Sequence, residues 1–351
     1  MNENSIELSL LSLFTLISFF IFLLIQKFSN KLFAGKLLDN DFTKPQAFHE
    51  EAISRVGGLA SILLLFLYIY LHNLFFSEIF YEYLIIGTGL FLVGFLDDLK
   101  INLKPMFRLS LMIIILLFSI YFFSLNIKKI DLIFLDSWMQ NKFFLMLFIL
   151  FCFLFVINGS NLIDGFNGLL AINLLIINLS LAALNLEANA SYSLLLIAQI
   201  IILSIFFLFN FPKAKIFFGD SGSYLFGSLT ALNIIYTNNF NGQVSSFFFC
   251  ILLGYIFFEV FFSFFRKIYI KKSPLEPDNT HLHMLVYKYL NKTRDANESN
   301  YKTSIIINFV YFCFILPSFF LKNNGTFCKI WFALGLMLYI YSYYKLYNKN
   351  S

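Results

Sequence analysis

Charged side chains are scarce in this 351-residue chain. Asp, Glu, Lys and Arg make up 13% of it and hydrophobic residues 59%, where an ordinary soluble domain carries about 25% charge. That shortage excludes a soluble globular enzyme and an intrinsically disordered protein. There are only four cysteines, Cys152, Cys250, Cys313 and Cys328, each in or beside an apolar run and none in a CxxC spacing. This excludes a secreted disulfide scaffold and a thiolate metal centre. The four histidines, His49, His72, His281 and His283, supply too few ligands for zinc once His72 is assigned to the opposite side of the membrane. What is abundant is phenylalanine, with 50 positions. The composition is that of an all-α polytopic integral membrane protein.

A helix needs roughly 20 mainly apolar residues to cross the hydrocarbon core. Eleven runs qualify: Leu8–Ile25, Leu59–Phe76, Ile79–Leu96, Phe107–Leu125, Phe143–Ile157, Leu169–Leu186, Tyr192–Phe209, Tyr224–Tyr236, Val244–Phe265, Ser304–Leu321 and Cys328–Tyr344. Glu3 and Glu7, rather than basic residues, precede the first run, so it reads as a retained helix and not a cleaved signal peptide. Eleven crossings put the termini on opposite sides. Alternating the connecting segments leaves 20 of the 25 Lys and Arg residues on one face, which by the positive-inside rule places the N-terminus outside and the C-terminus in the cytoplasm. The chain reads as a single transmembrane catalytic domain over 1–351, with 266–303 as a cytoplasmic loop too short for a core of its own.

Four polar segments stand out: Asp97-Asp98, Asn158–Leu169, Phe218–Gly222 and Pro277–Met284. They follow the third, fifth, seventh and ninth runs, so all four meet the same cytoplasmic face. Adjacent carboxylates at a membrane edge either form a solvated helix end or serve a metal–phosphate site. Asn158, Asn161, Asp164 and Asn167 recur every three residues among glycines, a pattern of closely approached backbone lining an aqueous cavity. Asp220 is equally a helix cap or part of a phosphate cradle. His281 and His283 suit proton donation or phosphate binding. Arg266 and its basic neighbours fit either anionic lipid headgroups or a diphosphate. Glu259, seven residues before Arg266, shares its helix face and is an expected partner.

This pattern resembles the polyprenyl-phosphate N-acetylhexosamine-1-phosphate transferases. The matching elements are Arg55-Val56-Gly57-Gly58, Asp97-Asp98, Asn158-x-x-Asn161-x-x-Asp164-Gly165-x-x-Gly168-Leu169, Gly219-Asp220-Ser221-Gly222-Ser223 and Pro277-Asp278 followed by His281-Leu282-His283. The chain departs at Asn167, Asn279 and Met284, where many members carry Asp, Arg and His. The resemblance implies a Mg²⁺-dependent phosphotransferase (Mn²⁺ may replace Mg²⁺) in the bacterial inner membrane, acting on polyprenyl phosphate and a UDP-N-acetylhexosamine to initiate cell-envelope polysaccharide synthesis. It implies Asp97, Asp98, Asp164, His281 and His283 as catalytic groups, and Asp220, Asp164 and Asn161 around the metal. Asn158, Asn161, Asn167, Arg55, Lys100, Arg266 and Ser221 are implied as substrate contacts. Nucleic acid is not an expected partner, and a homodimer stays open.

Two alternatives compete. Within the family, the phospho-N-acetylmuramoyl-pentapeptide transferases carry a longer histidine motif than this chain does. A proton- or cation-coupled transporter would place its ionisable groups near mid-membrane and show related halves, whereas here they gather at one interface and no half-repeat is evident.

Overall fold

A computed structural model describes residues 3–40, 52–101, 103–186, 188–273 and 278–350. Fourteen α-helices are formed by the described residues. These are α1 Glu3–Phe28, α2 Gly57–Phe76, α3 Tyr81–Asp98, α4 Pro105–Phe122, α5 Ile133–Trp138, α6 Lys142–Ile163, α7 Leu169–Asn185, α8 Ala190–Asn210, α9 Gly219–Phe240, α10 Ser246–Leu252, α11 Gly254–Tyr269, α12 Leu282–Leu290, α13 Ala296–Phe320 and α14 Gly325–Asn350. One short antiparallel ribbon pairs β1 Leu38–Asp39 with β2 Ile53–Ser54. Sequence-encoded stops and starts explain the boundaries. Asn141, Asn189, Ser245 and Asp295 accept backbone N–H bonds at the starts of α6, α8, α10 and α13, and Pro105 opens α4, where its missing N–H is no loss.

The protein is an all-α polytopic membrane protein. Seven helices are long and apolar enough to cross a bilayer: α1, α2, α4, α6, α8, α13 and α14. The pair α10 and α11 makes an eighth if counted as one span. Each of the eleven predicted runs is helical, but not all pass as independent spans. α7 has 17 residues, α3 carries Glu82, Asp97 and Asp98, and α9 is rich in Ser, Thr and Asn. The reason is their position: α9 is buried along nearly its whole length against α2, α3, α6 and α7. A helix enclosed by other helices needs no lipid-compatible surface of its own.

Polar side chains join these central helices. Asn233 of α9 donates to Asn178 Oδ1 of α7 and to Gln199 Oε1 of α8, both at 2.8 Å, and accepts from Tyr83 Oη of α3 at 2.9 Å. Interhelical bonds of this kind hold helices together where lipid gives no hydrophobic drive between them. Small residues do the rest. A Cβ on Gly94 would stand 2.5 Å from the Asp220 backbone, and one on Gly58 2.4 Å from the Gly222 nitrogen.

Two expectations change. The ninth run is broken: α10 and α11 meet at a 76° bend, placed at Leu253-Gly254, where a glycine makes a kink tolerable. The stretch 266–303 is mostly helical rather than a loop, comprising the end of α11, all of α12 and the start of α13.

Replacing Gly94 with alanine pushes α3 off α9 against rigid backbone. A loss of about 1–3 kcal/mol is expected, read as a lowered melting temperature in detergent, with Gly242→Ala, which meets open space, unchanged.

Candidate active site at one end of the bundle

The α9 N-terminus is the meeting point. Asp98, the last residue of α3, is fully buried. Its Oδ1 accepts the backbone N–H of Asp220 at 3.0 Å and its Oδ2 that of Ser221 at 2.9 Å. The first N–H groups of a helix have no partner within it and carry its positive end, so a carboxylate from another helix completes them. Gly219 makes this approach feasible: its φ is +77°, and a Cβ would lie 2.5 Å from Asp98 Oδ2. Arg55 supplies countercharge, standing 3.5 Å from Asp98 and gripping Asp39 Oδ2 through Nε and a terminal nitrogen at 3.1 and 2.6 Å. Burial works against the Arg55 charge, but Asp39, Asp98 and Asp220 outweigh it and hold the guanidinium protonated. The start of α2 is locked beside it, with Gly57 and Gly58 donating to the carbonyls of Phe217 and Phe218.

Arg108 of α4 bridges two further acids, donating to Asp97 Oδ2 at 2.8 Å and Asp220 Oδ2 at 3.0 Å, while its guanidinium covers the Tyr224 ring. Asn161, near the end of α6, accepts from the Ser223 hydroxyl at 3.0 Å and approaches Tyr224 Oη at 3.4 Å. Asp164 follows α6 directly. Burial, and then the negative charge of Asp220, push its pKa well above the carboxylate range, with Arg55 opposing. The carboxyl groups of Asp97, Asp98, Asp164 and Asp220 thus outnumber the two guanidinium groups beside them, one of which, Arg55, also serves Asp39. Among the described residues, no three His, Cys, Asp or Glu side chains converge as a metal-binding group.

The histidine segment forms a second cluster. Buried Glu259 of α11 lies 3.0 Å from His281 Nδ1 and 3.5 Å from His283 Nδ1, and accepts the Leu282 backbone N–H at 3.0 Å. Tyr255 Oη is 3.0 Å from His283 Nδ1. The two imidazoles stack in parallel with centroids 5.5 Å apart, and burial lowers the His283 pKa despite Glu259. Phe166, two residues after Asp164, packs edge-on against His283 and so joins the two clusters.

The structure brings Asp97, Asp98, Asp164, Asp220, Asn161 and Arg55 together, with His281 and His283 adjoining. Several other expected contacts lie elsewhere. Asn158 is exposed and bonds back to Leu154 of its own helix. The Asn167 side-chain amide donates to the Pro212 carbonyl and its backbone N–H donates to Asn300 Oδ1, so it pins loops together. Lys100 turns to Asn40. Ser221 is fully buried, its hydroxyl oxygen 2.4 Å from where a Gly58 Cβ would sit, leaving it no face for a substrate. Arg266 does not pair with Glu259. It closes on Asp278, Thr280 and Tyr343, because the returning segment brings these acceptors nearer than a residue two turns back. Burial would raise the Asp278 pKa, but the Thr280 hydroxyl and Arg266 hold it below the usual range. Pro277 and His49 lie outside the described residues.

Sequence reasoning missed Arg108, Asp39 and the Glu259 link to the histidines. Arg108 had a signal, being a lone ionisable residue one turn inside an apolar helix. Asp39, in a polar connecting segment, had none.

With the geometry in place, the similarity to known proteins falls into line. The profile of glycosyl transferase family 4 matches residues 80–238, which hold Asp97, Asp98, Asn161, Asp164 and Asp220. An undecaprenyl-phosphate alpha-N-acetylglucosaminyl 1-phosphate transferase of Thermotoga maritima is 28% identical over 278 residues, covering 79% of this chain and 81% of the relative. A probable undecaprenyl-phosphate N-acetylglucosaminyl 1-phosphate transferase of Bacillus subtilis is 26% identical, covering 82% and 78%. A phospho-N-acetylmuramoyl-pentapeptide-transferase of Dictyoglomus turgidum is 32% identical over 241 residues, covering 64% and 74%. The molecule is a membrane-embedded transferase. The chain belongs to glycosyl transferase family 4.

Truncating Asp98 to alanine strands two buried N–H groups and leaves Arg55 to Asp39 alone. A loss of about 2 kcal/mol or more is expected, seen as a lower melting temperature than for Asp97→Ala, whose side chain is 26% exposed.

Proposed function

We propose that this protein transfers an N-acetylhexosamine-1-phosphate, or a related sugar-1-phosphate, from a UDP-sugar to undecaprenyl or another polyprenyl phosphate. An oxygen of the lipid phosphate attacks the sugar-linked phosphorus, the bond to the UMP oxygen breaks, UMP leaves, and a polyprenyl diphosphate sugar remains. The observation that carries this reading is the excess of carboxylates over arginines around Asp220 at one end of a membrane helix bundle, in a chain whose relatives bear this activity in their names.

The donor set fits Mg²⁺. Asp220 and Asp164 bring carboxylate oxygens and Asn161 an amide oxygen, and Mg²⁺ is ordinarily bound through one or two carboxylates together with substrate phosphates rather than in an all-protein cage. Burial first, and then the negative charge of Asp220, raise the Asp164 pKa, and a divalent cation would offset both. Those three residues would hold the ion, Mg²⁺ or Mn²⁺, which when bound supplies countercharge to the diphosphate. The rest falls to the chain. Phosphoryl transfer depends mainly on positioning and charge neutralisation, which Arg55 and Arg108 support. A phosphate monoester has a second pKa near 6, so little base is needed, and Asp97 takes what proton remains. Asp98 acts by holding the α9 start in place. Glu259 occupies Nδ1 of His281, and Tyr255 with Glu259 that of His283, so the Nε2 atoms are what the two rings have left to offer the sugar or diphosphate, the buried and unpartnered Nε2 of His283 only if the segment opens.

The reading extends to topology: eleven crossings in one catalytic unit, an external N-terminus, a cytoplasmic C-terminus, and a site on the cytoplasmic face of a bacterial inner membrane. The distribution of 20 of 25 basic residues to that face supports it. A second reading, phospho-N-acetylmuramoyl-pentapeptide transfer, is favoured by the 32% identity to the Dictyoglomus turgidum relative.

The decisive experiment incubates purified protein with undecaprenyl phosphate, Mg²⁺ and a panel of UDP-sugars that includes UDP-MurNAc-pentapeptide, and measures UMP. Release with a UDP-N-acetylhexosamine is expected. Release with the pentapeptide alone selects the second reading, and none with any donor sinks both. Separately, Asp164→Asn is expected to raise the melting temperature in metal-free buffer by about 1–3 °C, by removing repulsion with Asp220, and to lose the further rise that Mg²⁺ gives the unmodified protein. An equal Mg²⁺ effect in both would remove Asp164 from the metal site.

A further inference from the structure

A slot of about 300 Å³ between α11, α12, α13 and α14 takes no part in the site above. Its walls include Leu282, Val286, Ile307, Val310, Leu338 and Leu346. Ile307 is buried, whereas Val310 and Leu338 are 62% and 59% exposed. The slot therefore opens sideways, between α13 and α14, towards the bilayer. Leu338, Ser342 and Leu346 line it at spacings of four along α14, and Lys345 and Lys349 lie three residues beyond Ser342 and Leu346 on the same side of that helix.

The lysines gather at the slot's end. Lys292, two residues past the end of α12, donates to the Lys349 carbonyl at 2.6 Å, and Asn350 donates to the Leu285 carbonyl of α12 at 2.9 Å, so α12 and the end of α14 are tied together. Lys345 and Lys349 lie over the rings of Tyr341 and Tyr289. The nearby carboxylates are engaged: Glu298 with Arg294 and Lys302, and Asp295 with the start of α13. Among the described residues, Lys292, Lys345 and Lys349 have no carboxylate partner. A laterally open apolar slot that ends in unbalanced cations has the amphipathic form of one ligand class, an acyl chain carrying a negative headgroup.

We propose that the slot binds one acyl chain of an anionic phospholipid, with Lys292, Lys345 and Lys349 holding the headgroup phosphate. Tyr255 and Leu282, which line the slot, also bond His283 and Glu259. A chain seated there packs the reverse side of the histidine segment and steadies it from the lipid.

The test needs no turnover, so it stands apart from the transferase reading. The purified full chain is equilibrated in detergent with mixtures of phosphatidylglycerol and phosphatidylcholine, and retained lipid is counted by native mass spectrometry. One phosphatidylglycerol is expected to stay bound with about tenfold preference. The double variant Lys345→Gln/Lys349→Gln should bring the two lipids close to parity, and Ser342→Phe, which fills the slot, should reduce retention of both. Equal retention of the two lipids by the unmodified chain, an undiminished preference in the double variant, or unchanged retention in Ser342→Phe would each overturn the proposal. So would displacement of the phospholipid by stoichiometric undecaprenyl phosphate, which would assign the slot to the acceptor.

Discussion

The whole active end depends on a carboxylate from one helix satisfying the first backbone N–H groups of another. Asp98 is buried, and its two oxygens hold the Asp220 and Ser221 amides. This sets where α9 begins, how close α3 comes to it and which way Asp220 leaves the backbone. In a low-dielectric setting such charge-assisted bonds are strong when complete and expensive when broken. That explains the company Asp98 keeps: Gly219 admits it, Gly94 lets its helix approach, and Arg55 with Asp39 balances its charge. Of the paired acids, only Asp97 remains partly exposed and turned towards Arg108.

Around that junction the structure separates positioning from chemistry. The buried groups, Asp98, Ser221 and Glu259, hold other groups in place. The partly buried ones, Asp97, Asp164, Asp220 and Arg108, carry the surplus of acidic groups. The same division recurs in the second cluster, where Glu259 is enclosed by α12 while Arg266, Asp278 and Thr280 clamp the segment that leads into it. The break between α10 and α11 serves this arrangement, because it redirects the chain so that Glu259 meets the start of α12.

The buried network of Asn233, Asn178, Gln199 and Tyr83, away from the Asp220 end of α9, has a different task. It lets α9, a helix with little hydropathy of its own, sit at the centre of a membrane protein with its Asn233 amide fully engaged. α9 can then present an acidic, glycine-rich N-terminus without having to serve as a lipid-facing span.

Composition and spacing alone determined that this is a helical membrane protein, where its apolar runs lie, and that Asp97, Asp98, Asn161, Asp164, Asp220, His281 and His283 belong together. Those features are local: hydrophobic runs, helix caps, and polar residues too costly to keep in lipid without a reason. Only the tertiary structure decided what each group does. Asp98 became a cap because α9 starts beside it, and Ser221 was closed in by Gly58. Asn158 faced away because three-residue spacing spirals round a helix. Arg108, Asp39 and Glu259 acquired partners 11 to 112 residues distant in the chain, since pairing of this kind depends on how helices cross, and no local pattern encodes the crossing.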